Sequence, residues 1–127
     1  MEFKLVHSCL RVSDLERSLA FYRENLHLRE KRRVQCGQVT LVYLADEKDS
    51  AHELELNYLP QREKDGIVGN DHTHVALAVD NYEQALAQHQ QSGCVVMVSQ
   101  ANRIHFIEDP DGHIIEVMPC QHFSLGN

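Results

Sequence analysis

The chain has 127 residues, 43% of them hydrophobic, enough for one domain of ordinary size with a true core. Its formal net charge of −7 and pI near 5.6 exclude nonspecific nucleic-acid binding, which needs a basic surface to displace counterions. No apolar run approaches the roughly 20 residues of a membrane span, and MEFKLVHSCL lacks the basic-then-apolar layout of a signal peptide, so a cytoplasmic protein with no membrane partner is expected.

In chain order, residues 3–12 alternate with a period of two, which means a strand. His7, Cys9 and Arg11 share one face; Val6, Leu10 and Val12 share the other, which suits packing beneath a helix. Ser13-x-x-Glu16 reads as a capping box opening that helix, and Leu15, Leu19, Tyr22 and Leu26 fall on its buried side. Strands are expected at 28–34, 40–45 and 53–58, followed by a polar linker at 61–71 that holds Gly66 and Gly69.

The same grammar then recurs. His74 to Val79 reads as a strand, Asp80-x-x-Glu83 as a second capping box, and Tyr82, Ala85 and Leu86 as the buried side of a helix stopped by Gly93. Further strands are expected at 95–99, 103–107 and 113–118. Asp109-Pro110-Asp111-Gly112 is a turn signal that aims the last strand so that Ile114, Glu116 and Met118 share a face. The reading is an α+β fold, one domain of two tandem βαβββ modules, about 1–60 and 72–120. The four cysteines, Cys9, Cys36, Cys94 and Cys120, form no CxxC pair, so reduced and mostly buried thiols are expected.

The halves also repeat in sequence. HSCLRVSDLERSLAFYRENL and HVALAVDNYEQALAQHQQSG, offset by 67 residues, share His7/His74, Leu10/Leu77, Val12/Val79, Glu16/Glu83, Leu19/Leu86 and Ala20/Ala87. Each half later reaches a carboxylate in an apolar run, Glu55 in ELELNY and Glu116 in HIIEVMP. Strand parity turns His7, Glu55, His74 and Glu116 away from their aliphatic neighbours. Carboxylates flanked by aliphatics need compensating charge, and a divalent cation supplies it, with two carboxylates and two neutral imidazoles giving a neutral ligand set. Glu53 and Asn57 compete with Glu55 for this role, and His72 with His74, whereas His52, His105 and His113 read as strand-end or surface groups. Nitrogen and oxygen donors without sulfur suit Ni²⁺, Co²⁺, Zn²⁺ or Fe²⁺.

With these residues placed, the segments HSCLRVSDLERSLAFYRENL, ELNY, HVALAVDN and IEDPDGHIIEV resemble glyoxalase I (lactoylglutathione lyase), in the vicinal oxygen chelate superfamily. The resemblance implies that the two modules form a curved mixed sheet around a metal-binding cleft, usually completed across a homodimer. It implies His7, Glu55, His74 and Glu116 as ligands of one divalent metal per site, Ni²⁺ or Co²⁺ before Zn²⁺. It further implies isomerisation of the hemithioacetal of methylglyoxal and a thiol, typically glutathione, to a D-lactoyl thioester, with Glu116 as base and Glu55 its counterpart. Arg11 matches the arginine that holds the glutathione carboxylate. Two departures concern the thiol: Leu59 and Pro60 stand where the family has Asn, and Val98 to Asn102 passes directly into Arg103 where the family has a Lys- and Gly-rich loop. Alternatives on the same scaffold are an epimerase, an extradiol dioxygenase, or a metal-free binding protein of the bleomycin-resistance kind.

Overall fold

The computed structural model describes residues 1, 2, 4, 6–60 and 74–120; the linker expected at 61–71, His72, and Phe3 and Leu5 of the first strand lie outside the described residues. The elements are β1 (His7–Val12), α1 (Leu15–Leu26), β2 (Arg29–Cys36), β3 (Val39–Ala45), β4 (Glu53–Tyr58), β5 (His74–Val79), α2 (Tyr82–Ser92), β6 (Val95–Ser99), β7 (Ile104–Glu108) and β8 (Ile114–Pro119). This is βαβββ twice, as expected, with β4, β5 and β6 at their expected bounds, β1 beginning at His7 rather than residue 3, and the bounds of β2, β3, β7 and β8 differing by one or two residues.

The chain divides into two compact units, Met1–Ile67 and Val68–Asn127. Each has one four-stranded mixed sheet, ordered β1-β4-β3-β2 in the first and β5-β8-β7-β6 in the second. The β1/β4 and β5/β8 pairs are parallel and the others antiparallel. A parallel pair needs a long crossover, and the intervening helix with two strands provides it in each unit. Even the irregularities repeat: the register shifts between Glu30 and Arg32 in β2 and between Val95 and Met97 in β6.

Both helices start one residue later than the capping boxes predict. The backbone N–H of Arg17 donates to Asp14 Oδ1 and that of Gln84 to Asn81 Oδ1, each at 3.1 Å. Asp14 and Asn81 are therefore the caps, and Ser13 and Asp80 precede them. Ser13 instead accepts a bond from the Arg17 guanidinium at 3.2 Å. At the far ends His27 (φ 56°) and Gly93 (φ 78°) adopt the left-handed conformation that closes a helix.

The first unit's core combines Leu15 and Tyr22 of α1 with Val12, Val42, Leu44, Leu54 and Leu56 of the sheet. Ser18 is buried as well, while Leu19 and Leu26 are only half-buried. In the second unit Ile107, Ile115 and Val117 are buried with Tyr82, His89 and His105; Ala85 and Leu86 are half-buried. His105 is thus a core residue rather than the surface group expected, because β7 alternates and turns His105 inward with Ile107. The thiols also differ from expectation: Cys9, Cys36 and Cys120 are exposed and Cys94 half-buried, all four being free cysteines.

Candidate metal centre

In the first unit, β1 and β4 run parallel with His7 opposite Glu53 and Cys9 opposite Glu55. His7 nevertheless reaches along the sheet to Glu55, Nε2 to Oε1 3.1 Å. Glu53 is engaged elsewhere, accepting from Arg32 Nη2 at 2.8 Å and lying 3.5 Å from Lys31 Nζ. Glu53 thus has two cations beside its carboxylate, whereas Glu55 has His7. The Glu55 carboxylate also interacts with the hydroxyl of Tyr43, its β3 neighbour; burial first, and then that carboxylate, push the Tyr43 hydroxyl pKa up. The Tyr43 ring stands edge-on to His7 (5.7 Å, 73°) and has the Arg32 guanidinium 3.8 Å over its face.

The second unit builds the same pair from equivalent positions. His74 on β5 and Glu116 on β8 approach to 3.0 Å, Nε2 to Oε1. Phe106, across from Glu116 on β7, stands edge-on to His74 (6.0 Å, 82°) as Tyr43 does to His7. The Asp109 to Gly112 turn aims β8: Asp109 Oδ1 accepts from the N–H groups of Asp111 (2.9 Å) and His113 (2.8 Å), and Gly112 N–H closes on Asp109 O at 3.0 Å.

The four sequence-derived ligands thus stand as two pairs, one per unit. Among the described residues no group of three or more His, Cys, Asp or Glu side chains has metal-binding geometry. Each pair is a direct His–Glu contact, at 3.1 and 3.0 Å, and its nitrogen and oxygen donors are of the chemical type that suits a divalent cation. Arg11 is exposed on β1, on the face of His7, and pairs by register with Asn57. The loop from Ser99 to Ile104 is a tight turn, Arg103 N–H to Gln100 O 3.3 Å. Tyr43 escaped the sequence reading because VTLVYLA is nearly all apolar and hides its parity, and Arg32 because it stands in the charged run 29–33; the pairing of Tyr43 with Glu55 and Arg32 reveals the face they share.

Residues 4–117 match the sequence profile of the Glyoxalase/Bleomycin resistance protein/Dioxygenase superfamily. The chain belongs to this family. Among curated relatives it is 38% identical to the lactoylglutathione lyase of Neisseria meningitidis over 123 residues, covering 89% of this chain and 88% of that one. It is 30% identical to the lactoylglutathione lyase of Salmonella typhimurium over 134 residues, covering 97% of each. Among solved structures, the trypanothione-dependent glyoxalase I of Leishmania major superposes with a TM-score of 0.78 at 26% identity, covering 98% of this chain and 92% of that one.

Proposed function

We propose that this protein is a metal-dependent glyoxalase I-type isomerase that converts the hemithioacetal of methylglyoxal and glutathione to the D-lactoyl thioester. The observation that carries the reading is the repeated His–Glu pair, His7 with Glu55 and His74 with Glu116, at equivalent positions of two modules. The four together form the proposed ligand set of one divalent cation, Ni²⁺ or Co²⁺ before Zn²⁺, which the sulfur-free mixture of nitrogen and oxygen donors supports. When bound, the cation supplies Lewis acidity that makes the substrate's C–H bond more acidic.

Glu116 acts as the base, taking the proton from the carbon that bears sulfur and returning it to the adjacent former carbonyl carbon. One C–H bond breaks and one forms, the first hydroxyl gives up its proton to become the thioester carbonyl while the former ketone oxygen gains one to become the new hydroxyl, and no electrons leave the substrate. Glu55 is its counterpart, and Arg11 offers a guanidinium to a carboxylate of the thiol. The modules at about 1–60 and 72–120, joined by 61–71, serve as halves of one catalytic domain, in a homodimer whose sites draw one His–Glu pair from each chain. Four free cysteines suit a reducing compartment, and the cytoplasm is the proposed location.

The test is thioester formation by metal-stripped protein reconstituted with Ni²⁺, Co²⁺ or Zn²⁺, given methylglyoxal and one of several low-molecular-weight thiols. Activity that needs the metal and disappears in Glu116→Gln is expected. Full metal loading without turnover of any thiol adduct would overturn the assignment.

A further inference from the structure

The two His–Glu pairs are alike, but the rows of side chains that hold them are not. Across the first sheet the strand register aligns Arg32, Tyr43, Glu55 and Cys9. Across the second it aligns Met97, Phe106, Glu116 and Ala76. Beside these rows, Glu53 opposite His7 becomes Ile114 opposite His74, and Asn57 opposite Arg11 becomes Met118 opposite Ala78. Every polar neighbour of the first pair has an apolar counterpart around the second.

We propose that Tyr43, clamped by Arg32, is a positioning residue that fixes Glu55, and that Phe106 leaves Glu116 without this restraint, so that one carboxylate is the anchor and the other the mover. This rests on the ligand set proposed above and adds what divides the labour within it. The Tyr43 ring is gripped on two sides, by the Arg32 guanidinium over its face and by His7 at its edge, and Glu55 is its direct cross-strand neighbour on β4. Arg32 is itself tied down by Glu53 at 2.8 Å. A carboxylate packed beside a ring held in this way has less freedom to swing than one beside an unclamped ring. Phe106 reproduces the packing of Tyr43 on the histidine and has no hydroxyl to offer. Side-chain exposure follows the same division: 9% for Glu55 and 17% for Glu116, beside histidines that are equally exposed.

The experiment compares the parent with Tyr43→Phe, Arg32→Met, Phe106→Tyr and Glu55→Ala, each checked for folding by circular dichroism. Co²⁺ affinity of the metal-stripped proteins is measured by competition with a chromophoric chelator, the Co²⁺ absorption spectrum is recorded, and kcat and KM are determined separately. Tyr43→Phe removes one hydroxyl and should weaken Co²⁺ binding about tenfold with a changed spectrum, and Arg32→Met should act in the same direction more weakly. Phe106→Tyr should hold Co²⁺ at least as tightly as the parent yet lower kcat with KM unchanged, because it restrains the mover. Parent affinity and spectrum in Tyr43→Phe, with Co²⁺ lost in Glu55→Ala, would overturn the positioning role and leave the ligand set standing. Co²⁺ retained in Glu55→Ala would overturn the ligand set, and this inference with it.

Discussion

His89 Nδ1 lies 2.9 Å from His105 Nε2 in the core of the second unit, where the equivalent positions of the first unit hold Tyr22 and Val42. The third member of the cluster is Tyr82, whose ring lies 5.2 Å from that of His105 and which stands where the first unit has Leu15. One module thus has an aliphatic and aromatic joint between helix and sheet, and its copy has a polar aromatic one. Among the described residues the buried Tyr82 hydroxyl and His105 Nδ1 lack a hydrogen-bond partner, so this core is less well satisfied than its twin.

That cluster makes stability depend on acid. Burial, and next the neighbouring His89, lower the His105 pKa from 6.5 to about 4. Between those values the unfolded chain binds a proton that the folded protein refuses, so the stabilisation is complete above pH 6.5 and is lost as pH falls towards 4. Two and a half units correspond to about 3 kcal/mol. Urea unfolding followed by far-ultraviolet circular dichroism should show this slope between pH 6.5 and 4 in the parent. The double variant His89→Tyr/His105→Val, which copies the first module, should flatten it; an undiminished slope would assign the acid sensitivity to other groups.

The repeat, the element order and the parity of His7, Glu55, His74 and Glu116 were all legible in the sequence, because strand alternation and helix periodicity are local signals. What escaped was what depends on partners across strands. Ser13 and Glu16 have capping-box spacing, but Asp14, the next residue, supplies an equally good acceptor and takes the cap. His105 looked like a surface residue by its chemistry and is buried because Ile107, two residues on, is an inward position of β7. Glu53 and Glu55 are indistinguishable by parity; they differ in that Arg32 and Lys31 of β2 lie beside Glu53 and His7 of β1 beside Glu55.

The turn before β8 should matter for both stability and activity. Asp109 is 4% exposed and its Oδ1 accepts two backbone N–H bonds, each strengthened by the carboxylate charge. Asp109→Ala leaves those donors without their acceptor and should cost about 2–3 kcal/mol in urea unfolding. Asp109→Asn keeps a side-chain oxygen and should cost less than half as much. Because β8 carries Glu116, turnover in the alanine variant should fall further than its folded fraction accounts for. Equal losses in both variants would show that the carboxylate oxygen is not what holds the turn.

Metal binding should stabilise the folded protein through mass action, since the unfolded chain has no assembled site. Stripped protein supplied with Co²⁺ at a hundredfold excess over Kd should gain about 2.7 kcal/mol, read as a rise in Tm, and a chelator should reverse it. His74→Ala or His7→Ala should abolish most of the rise, because each removes one of the two proposed nitrogen donors. A full Tm rise in both histidine variants would place the metal elsewhere.

Arg11 offers the sharpest test of how the thiol is held. It shares the exposed face of β1 with His7, and Asn57 lies opposite it on β4. The turn between Ser99 and Ile104 is short and its Arg103 pairs with Glu83 at 2.8 Å, so Arg11 is the cation proposed to meet the thiol's carboxylate. A charge-assisted hydrogen bond contributes about 1.5–3 kcal/mol, so Arg11→Ala should raise KM for the glutathione adduct roughly 10- to 100-fold. A contact to the thiol's carboxylate that is equal in ground and transition states leaves kcat unchanged, so kcat should hold. Arg11→Lys keeps the charge but not the planar fork, and should recover only part of the loss. Because the substrate carboxylate is the proposed partner, an adduct made with a thiol lacking that carboxylate should show the same KM with the parent and with Arg11→Ala. A KM for the glutathione adduct unchanged by Arg11→Ala would mean that this arginine is a solvated surface residue and that the thiol is held by other groups.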